Sequence, residues 1–292
     1  MKRIISLVLA VAMIAGSFAL TALASEDTIY TEAENFAFSL GIIDKETYDS
    51  DALLTRAEFA EIIARFLGLK DPNAEYNAWN DATFGADDKD EPAQGATAYA
   101  FTDIDVSLPQ FEAINAVCSY GYMNGVTSTH FLPNYSITLG SAVKVLVCML
   151  GYEPIAQLKG GYPVGYITVG DMLGVRDGVK GTTDDFITYS DCLQMLYNIL
   201  EVGVYEFSSI NEDGVTYERG ENFLNVVMEM EKIEGIITDN GVTTAIGTSK
   251  VGADSIVVDG VKLFAPDARF HDSDYFGREV EAYYKENDAG KN

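Results

Sequence analysis

The chain has 292 residues, of which 45 are acidic and 19 basic, for a formal net charge of −26. So acidic a surface argues against nucleic acid as a partner, because phosphate binding needs clustered Lys and Arg. It also disfavours nonspecific adhesion to an anionic cell wall, so any wall contact has to be made at a specific site.

The chain opens with a basic Met1-Lys2-Arg3, an apolar stretch from Ile4 to about Gly16, and a small-residue cleavage site at Ala22-Leu23-Ala24. That order of regions predicts a secretory signal peptide over residues 1–24. A transmembrane anchor is the weaker reading, since the apolar core is short and charge resumes at Glu26. No second apolar run is long enough to span a bilayer.

Residues 25–70 contain Phe36, Phe38 and Leu40-Gly41-Ile42-Ile43, then Thr55-Arg56-Ala57-Glu58. The last four have capping-box spacing, in which each of two side chains satisfies an orphaned backbone donor at a helix start. Residues 71–98 are an acidic insert. Within it, Asp87-Asp88-Lys89-Asp90-Glu91 resembles the start of a calcium loop, but Pro92, Ala93 and Tyr99 occupy positions such a loop needs for ligands and its glycine. A solvated loop is the expectation.

Residues 99–152 run from Phe101-Thr102-Asp103-Ile104 through an apolar stretch with Phe111, Ile114 and Val117 to Tyr120-Gly121-Tyr122-Met123-Asn124-Gly125. Phe131-Leu132-Pro133 then leads into Ile137-Thr138. Residues 153–203 repeat the plan, with Tyr162-Pro163, Leu173-Gly174-Val175 and Ile187-Thr188. Counted from Thr55, Thr138 and Thr188, offset four gives Phe59, Ala142 and Cys192. Offsets seven and eight give Ile62-Ile63, Val145-Leu146 and Met195-Leu196. Each set is one apolar stripe of an amphipathic helix, and three in one phase predict a repeat protein.

On these residues the chain resembles the S-layer homology family over about residues 27–203. The match is strong at the first capped helix, good in the second repeat and looser in the third. The resemblance implies an α+β protein: three helical repeats in a pseudo-threefold bundle, followed by a small antiparallel β module. It also implies a secreted surface protein of clostridial, Gram-positive type, held noncovalently by an anionic, pyruvylated-type wall polysaccharide. The implied polysaccharide-binding residues are Thr55, Arg56 and Glu58. A helix N-terminus presents unpaired N–H groups and partial positive charge, and an arginine one residue inside can bind the same carboxylate. Leu139 and Tyr189 stand where the second and third copies would carry that arginine, and Pro109 where the family commonly has a tryptophan.

Residues 204–231 read as a connecting segment and 232–292 as the β module. Strands are expected at Ile233–Thr238, Val242–Ile246, Ser255–Val258, Val261–Phe264 and Glu279–Tyr284, with turns at Asn240-Gly241 and Asp259-Gly260. The default role of this module is a spacer, with contact to another surface protein as the alternative.

Cys118, Cys148 and Cys192 form neither a zinc pattern nor a disulfide framework and are expected to be buried free thiols. A Cys118–Cys148 approach remains open. His130 and His271 sit in no metal-ligand spacing and beside no nucleophile signature. No enzyme, cofactor or metal is implied. The alternative to anchoring is a surface scaffold whose degenerate repeats bind no glycan.

Overall fold

The structure is a computed structural model that describes residues 8–11, 30–70, 101–211, 214–245, 251–252, 254–265 and 275–285. The acidic insert, and all of the expected signal peptide except residues 8–11, lie outside the described residues. The first elements are β1 (Val8–Val11), α1 (Glu32–Ser39), α2 (Arg56–Leu67), α3 (Phe111–Ser119) and α4 (Leu139–Met149). Then come α5 (Glu153–Leu158), α6 (Val164–Met172), α7 (Tyr189–Asn198), β2 (Gly203–Asn211), β3 (Gly214–Asn222) and the single turn α8 (Phe223–Val226). The chain closes with β4 (Glu231–Asp239), β5 (Ser255–Val258), β6 (Val261–Phe264) and β7 (Glu279–Tyr284). Helices and antiparallel sheets together make the protein α+β. It divides into two compact units, residues 42–223 and residues 1–41 with 224–292.

In the unit of residues 42–223, three helices start directly after Thr55, Thr138 and Thr188. Each threonine hydroxyl accepts the backbone N–H three residues on. In α2 and α7 the box is closed, because Glu58 and Asp191 accept the N–H of their own cap residue at 2.8 and 3.0 Å. In α4 the third residue is Ser141, which does not return that bond to the backbone, its hydroxyl accepting from the Thr138 hydroxyl instead, so the cap is half made. The stripes are buried as the spacing requires: Phe59, Ile62 and Phe66 on α2, Val145 and Leu146 on α4, Met195 and Leu196 on α7. Each such side chain contributes roughly 1.5–3 kcal/mol of burial. Gly68 stops α2 in the left-handed conformation at φ 63°.

The residue before each threonine joins the three helix starts. Leu54 N–H donates to the Ile187 carbonyl at 3.0 Å, Ile187 to Ile137 at 3.3 Å, and Ile137 back to Leu54 at 2.9 Å. The three side chains are buried. This closed triangle fixes where each helix begins.

Where a connecting segment is expected over residues 204–231, β2 and β3 pair as an antiparallel hairpin. Tyr205 N–H donates to the Leu150 carbonyl at 2.8 Å, and the rings of Tyr152, Tyr205 and Tyr217 stack with centroids 4.8 and 5.4 Å apart. The sequence carried the signal, with Asp213-Gly214 between apolar alternations.

The second unit is a five-stranded sheet in the order β1-β7-β4-β5-β6, and it includes α1. Although the repeat pattern groups α1 with the other helices, Phe36 meets Tyr283 of β7 edge-on at 4.9 Å. Thr31 and Glu34 give α1 a capping box of its own. Strands β5, β6 and β7 have the expected limits. The expected strand at Val242–Ile246 is absent from the described residues 242–245, where Thr244 makes a lone bridge to Asp239. The Asn240 side chain instead caps a turn by accepting from Val242 and Thr243 N–H. Strand β4 pairs with β7 from Glu231 to Ile236 and with β5 at Ile237 and Asp239, with an irregularity between those two, and Ile237, Ile256, Val258 and Leu263 belong to the buried core of this sheet. One pairing is not antiparallel: β1 runs parallel to β7.

Candidate functional site

The site begins at the backbone of the helix starts. Arg56 N–H donates to the Tyr135 carbonyl at 2.8 Å and Ala57 N–H to Pro133 at 3.0 Å. Leu139 and Gly140 N–H donate to Asp185 and Thr183, and Tyr189 and Ser190 to Ala52 and Ser50, in the same pattern. The first two amides of each helix are thus bound to a neighbouring loop, and the third is taken by the cap threonine. This corrects the expectation that the N-termini present unpaired N–H groups to an anion: those donors are spent inside the fold.

Arg56 itself is partly buried and bound internally. Its Nε donates to the Phe131 carbonyl and an Nη to the Asn124 carbonyl, both at 2.8 Å. The guanidinium also lies 4.7 Å from the centre of the Phe131 ring. Burial lowers the Arg56 pKa, against the raising influence of Cys118 and Asp103. Asp103 holds the other side of this loop, accepting the Phe131 and Leu132 N–H groups at 2.9 and 2.7 Å. Burial pulls its pKa upward, but those two bonds outweigh it and hold the carboxyl below its ordinary value. They also secure Leu132 at φ 61°, a left-handed conformation that a leucine seldom adopts.

Arg56 forms one wall of a cleft of about 370 Å³, which is also lined by Tyr122, Lys144, Glu153, Tyr162 and Tyr166. Lys144 enters from α4, where it is the only charged residue, with its Nζ 3.5 Å from the Tyr122 carbonyl. Tyr166 is buried, donates to Glu153 at 3.1 Å and accepts from Gln157 at 3.0 Å. Its pKa is pushed up to about 12, by burial first and then by Cys148 and Glu153, so it remains a neutral hydroxyl. Tyr162 is exposed at the rim, with its hydroxyl 3.3 Å from Ser141 Oγ. Among the described residues neither Arg56 nor Lys144 is ion-paired.

Of the three residues expected to bind, only Arg56 lines this cleft. Thr55 and Glu58 are occupied with each other, the hydroxyl donating to the carboxylate at 2.6 Å. Glu58 is also hydrogen-bonded by Tyr189, whose pKa is raised by burial and then by that carboxylate. Leu139 is 1 % exposed. Lys144 and the tyrosines escaped sequence reasoning, although a lone lysine on an apolar helix was a legible signal. The three cysteines are free, with burial raising Cys118 to about 12. Among the described residues no helix is long and apolar enough to cross a membrane.

Residues 100–143 match the S-layer homology domain. That stretch carries Asp103, the Phe131 loop and the start of α4. The middle cell wall protein of Brevibacillus brevis is 27 % identical over 223 residues, covering 70 % of this chain and 19 % of that protein. The surface layer protein of Brevibacillus choshinensis is 28 % identical over 221 residues, covering 70 % of this chain and 17 % of its own. The chain spans less than a fifth of the length of these relatives. The matches indicate a secreted surface protein associated with the cell wall.

Proposed function

We propose that the helical unit carries S-layer homology repeats in a pseudo-threefold arrangement and anchors an exported, leader-cleaved protein to an anionic cell-wall polysaccharide. Matching caps and the closed triangle of Leu54, Ile137 and Ile187 support the arrangement. The observation that carries the binding reading is the cleft, where Arg56 and Lys144 stand together with no carboxylate partner among the described residues, in a chain of charge −26. Two such cations suit a sugar acid, for instance a pyruvate ketal, and tyrosine rings beside them suit a sugar face. Glu153 and Gln157 offer acceptors and donors to hydroxyls. No covalent chemistry is involved.

The site is single in this reading. Leu139 is sealed in the core, and Tyr189 is tied to Glu58, so neither stands in a second or third cationic cleft. A scaffold without glycan binding is the second reading, and it draws on the internal bonds of Arg56. A pull-down with purified wall glycan, intact and stripped of its acid-labile ketals, separates the two. Anchoring requires capture of the intact glycan, loss on stripping, and loss with Lys144→Gln. Capture that ignores both changes overturns the cleft.

A further inference from the structure

The tyrosines around the cleft fall into two arrangements. On one side the rings of Tyr162 and Tyr166 are tilted by 60°, and the Tyr162 hydroxyl lies 3.3 Å from Ser141 Oγ. On the other, Tyr122 lines the cleft and Tyr120 lies beyond its lining, their rings 14° from parallel with centroids 6.5 Å apart. The local sequence builds this second pair. Tyr120 caps the end of α3, Gly121 takes the left-handed conformation at φ 78°, and Tyr122 N–H donates back to the Val117 carbonyl at 2.9 Å. A side chain at Gly121 would strain that turn, so the glycine fixes the backbone on which both tyrosines stand. Buried Met123 pins the turn from behind, while Tyr120 stays 54 % exposed.

We infer that Tyr120 and Tyr122 form a second sugar subsite, which takes an uncharged sugar linked to the acid-bearing one held by Arg56 and Lys144. The inference rests on the binding reading of the cleft. Three observations carry it. Near-parallel rings present faces on which the apolar C–H face of a sugar can pack while its hydroxyls stay in water. The 6.5 Å step from Tyr122 to Tyr120 is comparable with the advance of one unit along an extended glycan. Residues 111–126, which carry both tyrosines, contain no lysine or arginine, so this stretch offers no cation to a second acid. The ligand class is therefore an oligosaccharide end with one acidic unit followed by an uncharged one, rather than a repeating polyanion.

The test is calorimetry on the full chain with two probes, a monosaccharide and a disaccharide cut from the ketal-bearing end of purified wall glycan. Wild type should bind the disaccharide roughly three- to tenfold more tightly, the worth of an added aromatic contact. Tyr120→Ala should remove that advantage and leave monosaccharide affinity unchanged. Tyr120→Phe should keep the advantage, and Lys144→Gln should weaken both probes. Equal affinity of wild type for the two probes overturns the second subsite alone. So does an advantage that survives Tyr120→Ala, that is lost with Tyr120→Phe, or that is lost with Tyr162→Ala instead. Loss of both probes in Tyr120→Ala makes the ring structural and overturns it too. If neither probe binds wild type, or binding ignores Lys144→Gln, the cleft reading itself fails and takes this inference with it.

Discussion

Arg56 donates to the carbonyl of Phe131 at 2.8 Å while its guanidinium covers the ring of the same residue. One side chain therefore closes a loop whose Phe131 lies 75 positions later and also forms the wall of the cleft. Binding and stability are coupled there. Arg56→Ala is expected to lower stability by about 2 kcal/mol, as bonds from a charged donor are lost and two carbonyls go unpaired. Arg56→Lys should recover the charge but not the two-pronged contact, and so only part of that loss. Urea titration of both variants checks this.

Lys144 separates the two effects. Its Nζ makes one long bond, to the Tyr122 carbonyl. Lys144→Gln should leave stability within about 0.5 kcal/mol of wild type, the range for changes away from buried contacts. Glycan affinity should fall roughly ten- to hundredfold, the worth of a charge-assisted bond. The remaining affinity should depend less steeply on salt, since one of two cations is gone.

Leu139→Arg and Tyr189→Arg should not create further sites. The first places a guanidinium where the native side chain is 1 % exposed, at an expected cost of about 3 kcal/mol or more. The second breaks the bond to Glu58. A rise in the number of glycan molecules bound per chain, measured by calorimetry, would contradict the closed state of both positions.

The caps should rank by their completeness. Thr55→Ala and Thr188→Ala are expected to cost about 1 kcal/mol each, because both lose a two-way box. Thr138→Ala should cost less, since Ser141 returns no bond to its backbone. Thermal unfolding of the three variants gives the order directly.

Acid should loosen the Phe131 loop. The Asp103 carboxyl has a folded pKa below its ordinary value, so its contribution is present above about pH 4, the unfolded carboxyl value. It is lost as pH falls through the lower, folded value. Asp103→Asn should flatten the pH dependence of stability in that window and leave it unchanged nearer neutrality in slope, though lower in height.

The capped helices were readable because caps and 3.6-residue stripes are local, and Thr55, Thr138 and Thr188 each open a helix as expected. Three strands of the last unit were readable from alternation and turn residues. What sequence could not supply was partnership. Whether Thr244 pairs with β4, or α1 with the sheet, depends on which distant surface competes best for the same groups. The cleft was hidden for the same reason: Arg56, Lys144 and Tyr162 come from separate elements, and only the fold brings them together. The family pattern pointed to Arg56, which lines the cleft, and to donors that the backbone consumes.

The triangle of Leu54, Ile137 and Ile187 also has a kinetic side. Two of its members make only one of the three bonds, and the ring closes when the last member arrives. Its third vertex is made late in synthesis, so a growing chain that has passed Ile137 still holds an open donor and an open acceptor at its centre. Such a core is cooperative by construction and of high contact order. A chain stopped short of Ile187 should stay unfolded rather than half-formed, which is the state that a translocation channel can thread.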